Sequence, residues 1–433
     1  MKGIVMNPDS FYPQIVRLRT LAACAVLLLL ASAGITLAQE AGGDLGGGAI
    51  IFRPRNPETT SKRRTNPNRG RTGTSGGRVG GGRTGGRTAP NPAAAAELEE
   101  RYEDLLDEGN EARDDRKYAE AETAYKQALQ LKPKDWRAAY GLGNIYTDQQ
   151  RWEEAETSYR QATNFNPLGA DAFIALSYVL VQPRVSGNAA RRLTEAELAA
   201  RRAIQLQSGN AVAYDRLGEA LVARSLLNAE AEASYRKAVE LDPQFAVAYV
   251  HLARLMKKTN RVSDAEQNFV RAMELAKEAP QFVLIAEAMQ SEQLYNESEP
   301  VLKRALELDA RNPSANFLMA KFHIYMRRFP EAEGFLKTTI DVSPRSFAPH
   351  YVLGSLYLRM ERPEEAERAI ARAAEVASPN DRRQLAGAYG FGGIGDAYMK
   401  AGRKTDAVRA YERAVSLDPS NTELQGKLAA ARG

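Results

Sequence analysis

Three histidines, His251, His323 and His350, are the side chains best suited to metal binding or proton transfer in this 433-residue chain. They lie far apart in sequence, and none has a second ligand at metal-binding spacing, so no metal site is expected. Gly390, Gly392, Gly393 and Gly395 cluster as in a phosphate-binding loop. They lack the Lys-Ser/Thr that would hold phosphate and Mg²⁺, and they sit inside helix-forming sequence. The paired carboxylates Glu153-Glu154 and Glu364-Glu365 fall in the first turn of expected helices, where negative charge favours the helix dipole. The one cysteine, Cys24, lies in an N-terminal apolar stretch, so the body can form neither a disulfide nor a thiolate metal site. No segment outside a repeated body is long enough to house a catalytic domain. The expectation is therefore a non-enzyme without a cofactor.

The elements that position these residues follow from a unit that recurs along the chain. Residues 136–169 show it best. Leu142, Tyr146 and Tyr159 are large apolar knobs, while Gly143, Ala155 and Ala162 let two helix backbones approach closely. Pro167 disfavours helical geometry at Asn166 and ends the second helix. Equivalents of Ala155 are Ala121, Ala196, Ala231, Ala265, Ser298, Ala332, Ala366 and Ala407, at successive spacings of 34, 41, 35, 34, 33, 34, 34 and 41. The Gly143 column reads Gly109, Gly143, Ser177, Gly218, Ala253, Ala286, Ala320, Gly354 and Gly395. The Ala162 column departs from Ala only at Thr339. Three aligned columns of small residues over nine units define the register. This pattern resembles the tetratricopeptide repeat family over about three quarters of the chain, with Ala139 in place of the large fourth-position residue.

The resemblance implies an all-α, right-handed α-solenoid of about nine tetratricopeptide helix-turn-helix repeats over residues 92–421. Asn91 and Pro92 read as the N-cap and first residue of the opening helix, which runs over 93–113. Residues 422–433 read as a C-terminal capping helix, with Leu424, Leu428 and Ala431 on one face. Both 41-residue spacings contain seven extra residues, one set near 182–188 and the other near 381–387. The sixth repeat is the most degenerate, having Ser298 and Leu302 where others carry Ala and an aromatic.

Before the repeats, residues 1–38 read as a signal peptide: a weakly basic leader, an apolar core over 21–38, and Thr36-Leu37-Ala38 ahead of Gln39. The competing reading is an uncleaved N-terminal anchor, since 18 residues approach the lower limit for a bilayer span. The small residues at the end favour cleavage. Residues 39–91 read as a disordered Gly/Arg-rich basic linker, too poor in apolar groups to offset chain entropy. The net charge of +5 is concentrated there: residues 41–96 hold nine Arg and one Lys against Asp44 and Glu58, a net of +8. Residues 1–40 are at +1, which leaves −4 for 97–433. The Gly/Arg runs have no interleaved aromatics to stack on bases, so nucleic acid is disfavoured and weak contact with anionic envelope polymers or lipid fits better.

What the family resemblance implies about function is binding. First helices line the concave groove, where an extended peptide or a partner helix lies. Inward positions carried over from that geometry are Tyr140, Asn144, Tyr178, Arg254, Lys257, Lys258, Phe317, Lys321, Tyr325 and Tyr351. Glu219 and Glu287 alternate with Arg254 and Lys321, so repeats five to eight suggest a groove for a segment with acidic and apolar residues. The family's carboxylate clamp is incomplete: Asn110 and Asn144 fill one position, but Leu106 and Tyr140 replace its first Lys, and Gly141 and Ala175 its next Asn. The expected protein is an exported, periplasmic or envelope-associated protein-interaction scaffold. Its alternatives are the accessory scaffold of an envelope glycosyltransferase or secretion complex, and a nucleic-acid-linked adaptor using the Gly/Arg segment.

Overall fold

The computed structural model describes residues 56–59, 92–182, 188–227, 229–377 and 381–433. Among these residues there are helices and no strands, and the helices fall into nine consecutive pairs. The pairs are α1 (Pro92–Asp114) with α2 (Tyr118–Leu131), α3 (Trp136–Asp148) with α4 (Trp152–Phe165), and α5 (Ala170–Val181) with α6 (Ala189–Leu206). Next come α7 (Ala211–Ala223) with α8 (Ala229–Leu241), α9 (Ala246–Lys258) with α10 (Val262–Leu275), and α11 (Ala279–Ser291) with α12 (Tyr295–Leu308). The last three are α13 (Pro313–Tyr325) with α14 (Phe329–Val342), α15 (Phe347–Arg359) with α16 (Pro363–Val376), and α18 (Phe391–Lys400) with α19 (Lys404–Leu417). A short α17 (Arg382–Ala386) precedes the ninth pair, and α20 (Thr422–Arg432) closes the stack. Each helix packs on the next in the chain, and first helices of neighbouring repeats touch at most steps. The result is an α-solenoid, as the repeat spacing predicts.

Side-chain size sets how the two helices of a pair meet. Ala155 and Ala162 are wholly buried, and so are their counterparts, including the two departures Ser298 and Thr339. These polar substitutes satisfy themselves locally: Ser298 Oγ donates to the Tyr295 carbonyl at 2.7 Å, and Thr339 Oγ1 to that of Phe335 at 2.9 Å. The Gly143 column has a more specific cause. A Cβ at Gly143 would stand 2.5 Å from Cε1 of Tyr159, and Gly109, Gly218 and Gly395 face Tyr125, Tyr235 and Tyr411 at 2.4–2.6 Å. Where the column is Ala, at Ala253, Ala286 and Ala320, the facing position holds Phe269, Leu302 and Leu336 instead. A tyrosine lying flat on the first helix requires glycine beneath it.

The turn inside a repeat is closed by the backbone. Arg116, Gln150, Ser225, Asn260, Gln293, Arg327, Glu361 and Gly402 all have φ between 56° and 73°. Around Gln150, the Arg151 amide donates to the Tyr146 carbonyl at 2.8 Å, which caps the last turn of α3. Second helices such as α4, α10, α16 and α19 therefore begin without a side-chain cap, and the residue just before each is Arg: Arg151, Arg261, Arg362 and Arg403. That arginine ties neighbouring repeats together. Arg151 lies over the Tyr146 ring at 4.3 Å and reaches Glu122 of the preceding repeat at 3.1 Å, while the Tyr146 hydroxyl donates to the same carboxylate. Arg362, Tyr357 and Glu333 repeat the arrangement. First helices instead use side-chain caps at Asp135, Asn210 and Asn312.

The second insertion forms α17, which buries Leu385 and Ala386. The backbone then folds back so tightly that a Cβ at Gly390 would meet the Leu385 carbonyl oxygen at 2.1 Å, and one at Gly393 that of Ala388 at 1.9 Å. The glycine cluster thus serves chain packing. Most of the first insertion, the N-cap Asn91 and the whole signal-peptide segment lie outside the described residues. Helix α20 buries Leu424 and Ala431 and half-buries Leu428, and Lys427 pairs with Asp396 at 3.0 Å. Among the described residues no helix is long and apolar enough to cross a membrane.

Candidate peptide-binding site

Tyrosine hydroxyls organise the face made by the first helices. Tyr125 donates to Oδ1 of Asn110 at 2.8 Å, Tyr159 to Oδ1 of Asn144 at 2.9 Å, and Tyr411 to Oδ1 of Asp396 at 2.7 Å. In these three repeats the residue that follows a column glycine is therefore held by the ring that needed that glycine. At Asn110 this fixes the amide so that Nδ2 points to the face, where it donates to the carbonyl of Pro57 at 3.1 Å.

Residues 56–59 lie on this face, antiparallel to α1. Asn56 makes a two-way contact: its Oδ1 accepts from Arg113 NH1 at 2.8 Å, and its Nδ2 donates to Asp114 Oδ2 at 3.0 Å. The Glu58 carbonyl accepts from NH1 of Arg137, in the first turn of α3, at 3.3 Å. Pro57 is buried between these contacts. A proline suits that place, because it has no N–H to leave unsatisfied and it favours an extended conformation at the residue before it. The sequence reading of 39–91 as a linker without packing therefore does not hold for these four residues; the rest of that stretch lies outside the described residues.

The arginines are themselves fixed. Arg113, 1% exposed, binds Asp148 of the second repeat through Nε at 2.7 Å and NH2 at 2.9 Å, which directs NH1 towards Asn56. Burial opposes its charge, but Asp148 outweighs that and raises its pKa. Arg137 is held by Asp135 at 2.9 Å and by the buried Glu103 at 2.8 Å. Both donors are thus positioned by carboxylates before any peptide arrives, which lowers the ordering cost of binding.

The positions expected to line the groove divide into two groups. Tyr140, Asn144, Tyr178, Phe317 and Tyr351 are buried. Tyr140 packs on Trp136 and Tyr159, and Tyr178 on Trp152 with the Arg216 guanidinium over its ring at 5.3 Å. Asn144 is used by Tyr159, and Tyr351 stacks on Phe347. Large rings at these first-helix positions are taken up by the solenoid's own packing. Arg254, Lys257, Lys258, Lys321 and Tyr325 reach the surface wholly or in part. Tyr325 is 58% exposed and stacks on Tyr295 with centroids 4.2 Å apart.

Charges of alternating sign are half-buried along the first helices of the middle repeats. Burial raises the Glu287 pKa against the pull of Lys321 and Arg254, and burial lowers that of Lys321 against the pull of Glu287. Arg254 lies 3.7 Å from Glu292. Desolvation and the Arg254 charge both depress the Lys258 pKa. An acidic segment entering here would compete with Glu287 and Glu292 for these cations.

His251, without a ligand neighbour in sequence, acquires two in the fold. Its Nδ1 stands 2.8 Å from Asp215 and its Nε2 3.4 Å from Glu219, and the three ligand atoms lie within 4.8 Å of one another. Such a trio could hold a cation. The neighbouring Arg216 guanidinium already binds both carboxylates, 2.5 Å from Asp215 and closer still to Glu219. The cluster is a largely buried ion network joining the fourth and fifth repeats.

Stacked helix pairs with a peptide-sized face define the class: an α-solenoid protein-interaction module. Models of the tetratricopeptide repeat match residues 106–173, 227–245, 317–382 and 388–421. The chain belongs to the tetratricopeptide repeat family. Solved structures similar to it include the MamA protein, at 23% identity over 41% of this chain and 92% of that one, with a TM-score of 0.34. A thermophilic tetratricopeptide-repeat protein of Thermus thermophilus is 21% identical over 44% of this chain and 99% of that one, with a TM-score of 0.38. PilF of Pseudomonas aeruginosa is 15% identical over 52% of this chain and 99% of that one, also at 0.38. No curated protein matches this chain.

The residues that grip 56–59 were largely invisible in sequence. Asn110 stands out there only as an isolated clamp position, and Arg113, Asp114 and Arg137 carry no signal. Their role depends on where a distant segment lands.

Proposed function

We propose that this protein is an exported, non-enzymatic scaffold that binds an extended segment of another protein along its first-helix face. The observation that carries this reading is the seating of residues 56–59, whose main-chain carbonyls and Asn56 amide are hydrogen-bonded by α1 and α3. A face that holds one extended segment by backbone carbonyls has the chemistry to hold others. The leader of residues 1–38 supports export to the cell envelope, and the basic stretch that follows supports weak contact there with anionic lipid or polymer.

Two measurements test this. N-terminal sequencing of the protein from an envelope fraction should give a start at Gln39, whereas an intact Met1 in the cytoplasm refutes export. Photo-crosslinkers placed in the cell at Lys257, Lys321 and Tyr325 on first helices should capture one and the same protein. Crosslinkers at Val270, exposed on the second helix α10, should not. Equal capture from both helix faces would refute the groove.

A further inference from the structure

The contacts at 56–59 read a particular sequence. Asn56 is used as both acceptor and donor, by Arg113 and Asp114. Asp in its place would lose the donor and set a second carboxylate against Asp114, and a hydrocarbon would forfeit both hydrogen bonds. Pro57 is buried, and any other residue would bring an N–H to a place where the Asn110 amide takes only the carbonyl. Glu58 is read through its carbonyl alone, its side chain being exposed. The motif is therefore a carboxamide, a proline, and any residue in extended form.

We propose that the face of the first two repeats is a binding site for Asn-Pro segments, and that the chain's own Asn56-Pro57 fills it as a built-in competitor which a partner must displace. This deepens the scaffold reading and rests on it only in that the first-helix face takes an extended segment. The chain between the two parts, residues 60–91, is 32 residues long. A ligand tethered by so short a stretch competes at an effective concentration on the order of millimolar. A free Asn-Pro segment with intrinsic Kd about tenfold below that would bind the intact protein roughly ten times more weakly than the bare face. Occupancy of the face would then respond to anything that engages the basic stretch, because pulling on residues 60–91 withdraws the competitor. The dipeptide recurs at Asn66-Pro67, ten residues further on, so the variant that empties the face removes it as well.

The test uses the full chain and a fluorescein-labelled peptide of residues 53–62, followed by fluorescence polarisation. The chain carrying Asn56→Ala, Pro57→Ala and Asn66→Ala should bind this peptide about tenfold more tightly than the wild-type chain. The same peptide with Asn56→Asp should fail to bind it. Asn110→Ala, added to the triple variant, should weaken binding with the helical circular dichroism unchanged. Equal affinity for wild-type and triple variant, or no binding by the triple variant, overturns the proposal. So does a wild-type dimer in sedimentation that the three substitutions dissociate, since the segment would then dock between copies. Failure of the peptide titration leaves the crosslinking result at Lys257, Lys321 and Tyr325 standing, and the reverse also holds.

Discussion

Adding one methyl group at Gly143 should loosen the second repeat by about 1–5 kcal/mol. A Cβ there would lie 2.5 Å from Cε1 and 2.6 Å from Cδ1 of Tyr159. That ring is wholly buried, and its hydroxyl is bonded to Asn144 at 2.9 Å and Thr147 at 3.1 Å. Making room for the methyl group costs about 1–3 kcal/mol in overpacking. Displacing the ring also strands buried hydroxyl and amide groups, at about 1–3 kcal/mol. The gain in helix propensity from Gly to Ala returns about 1 kcal/mol. Because a solenoid does not unfold as one unit, the assay is hydrogen exchange resolved by helix. Amides of α3 and α4 should exchange about 5- to 4,000-fold faster, and those of α18 and α19 at the wild-type rate. Gly334→Ala, where an added Cβ meets nothing within 4 Å, is the control and should stabilise by about 0.5–1 kcal/mol. In a Tyr159→Leu background, which copies the Ala320–Leu336 pairing of the seventh repeat, Gly143→Ala should cost under about 1 kcal/mol. Equal costs in both backgrounds, or a neutral Gly143→Ala, would refute the reasoning.

Two further outcomes follow from the turns and the buried ion network. Gln150 and Ser225 hold φ of 58° and 62°, so Gln150→Gly and Ser225→Gly should each stabilise by about 0.5–1 kcal/mol, read as a higher thermal midpoint; a lower one sinks the argument. Burial would raise the Asp215 pKa, but His251 and Arg216 hold it below its ordinary 3.8. A carboxylate with a depressed folded pKa stabilises fully above that ordinary value and loses the contribution as pH falls through the folded one. Protection of α7 and α9 should therefore drop below about pH 4, and Asp215→Asn should flatten that acid limb; an unaltered limb in the variant would refute it.

The sequence by itself determined the architecture, because a repeat is a local object. Helix periodicity, the small residues at the helix contacts and the proline that ends a second helix all act within some 34 residues, and stacking multiplies them. Even the sixth repeat, with Ser298 and Leu302, follows its neighbours. The candidate site was a different matter. Phe317 and Tyr351 occupy positions that the family's geometry turns towards a partner, yet both are buried, since apolar rings are removed from water by whatever lies nearest. His251 gained Asp215 and Glu219 only when α7 and α9 were set side by side. Asn56-Pro57 sits in a stretch whose composition offers no core, and its contacts with Asn110, Arg113 and Asp114 span more than 50 residues. Local spacing encodes which helices form and pair. Which surface remains open, and what occupies it, is decided by contacts between segments that no local spacing relates.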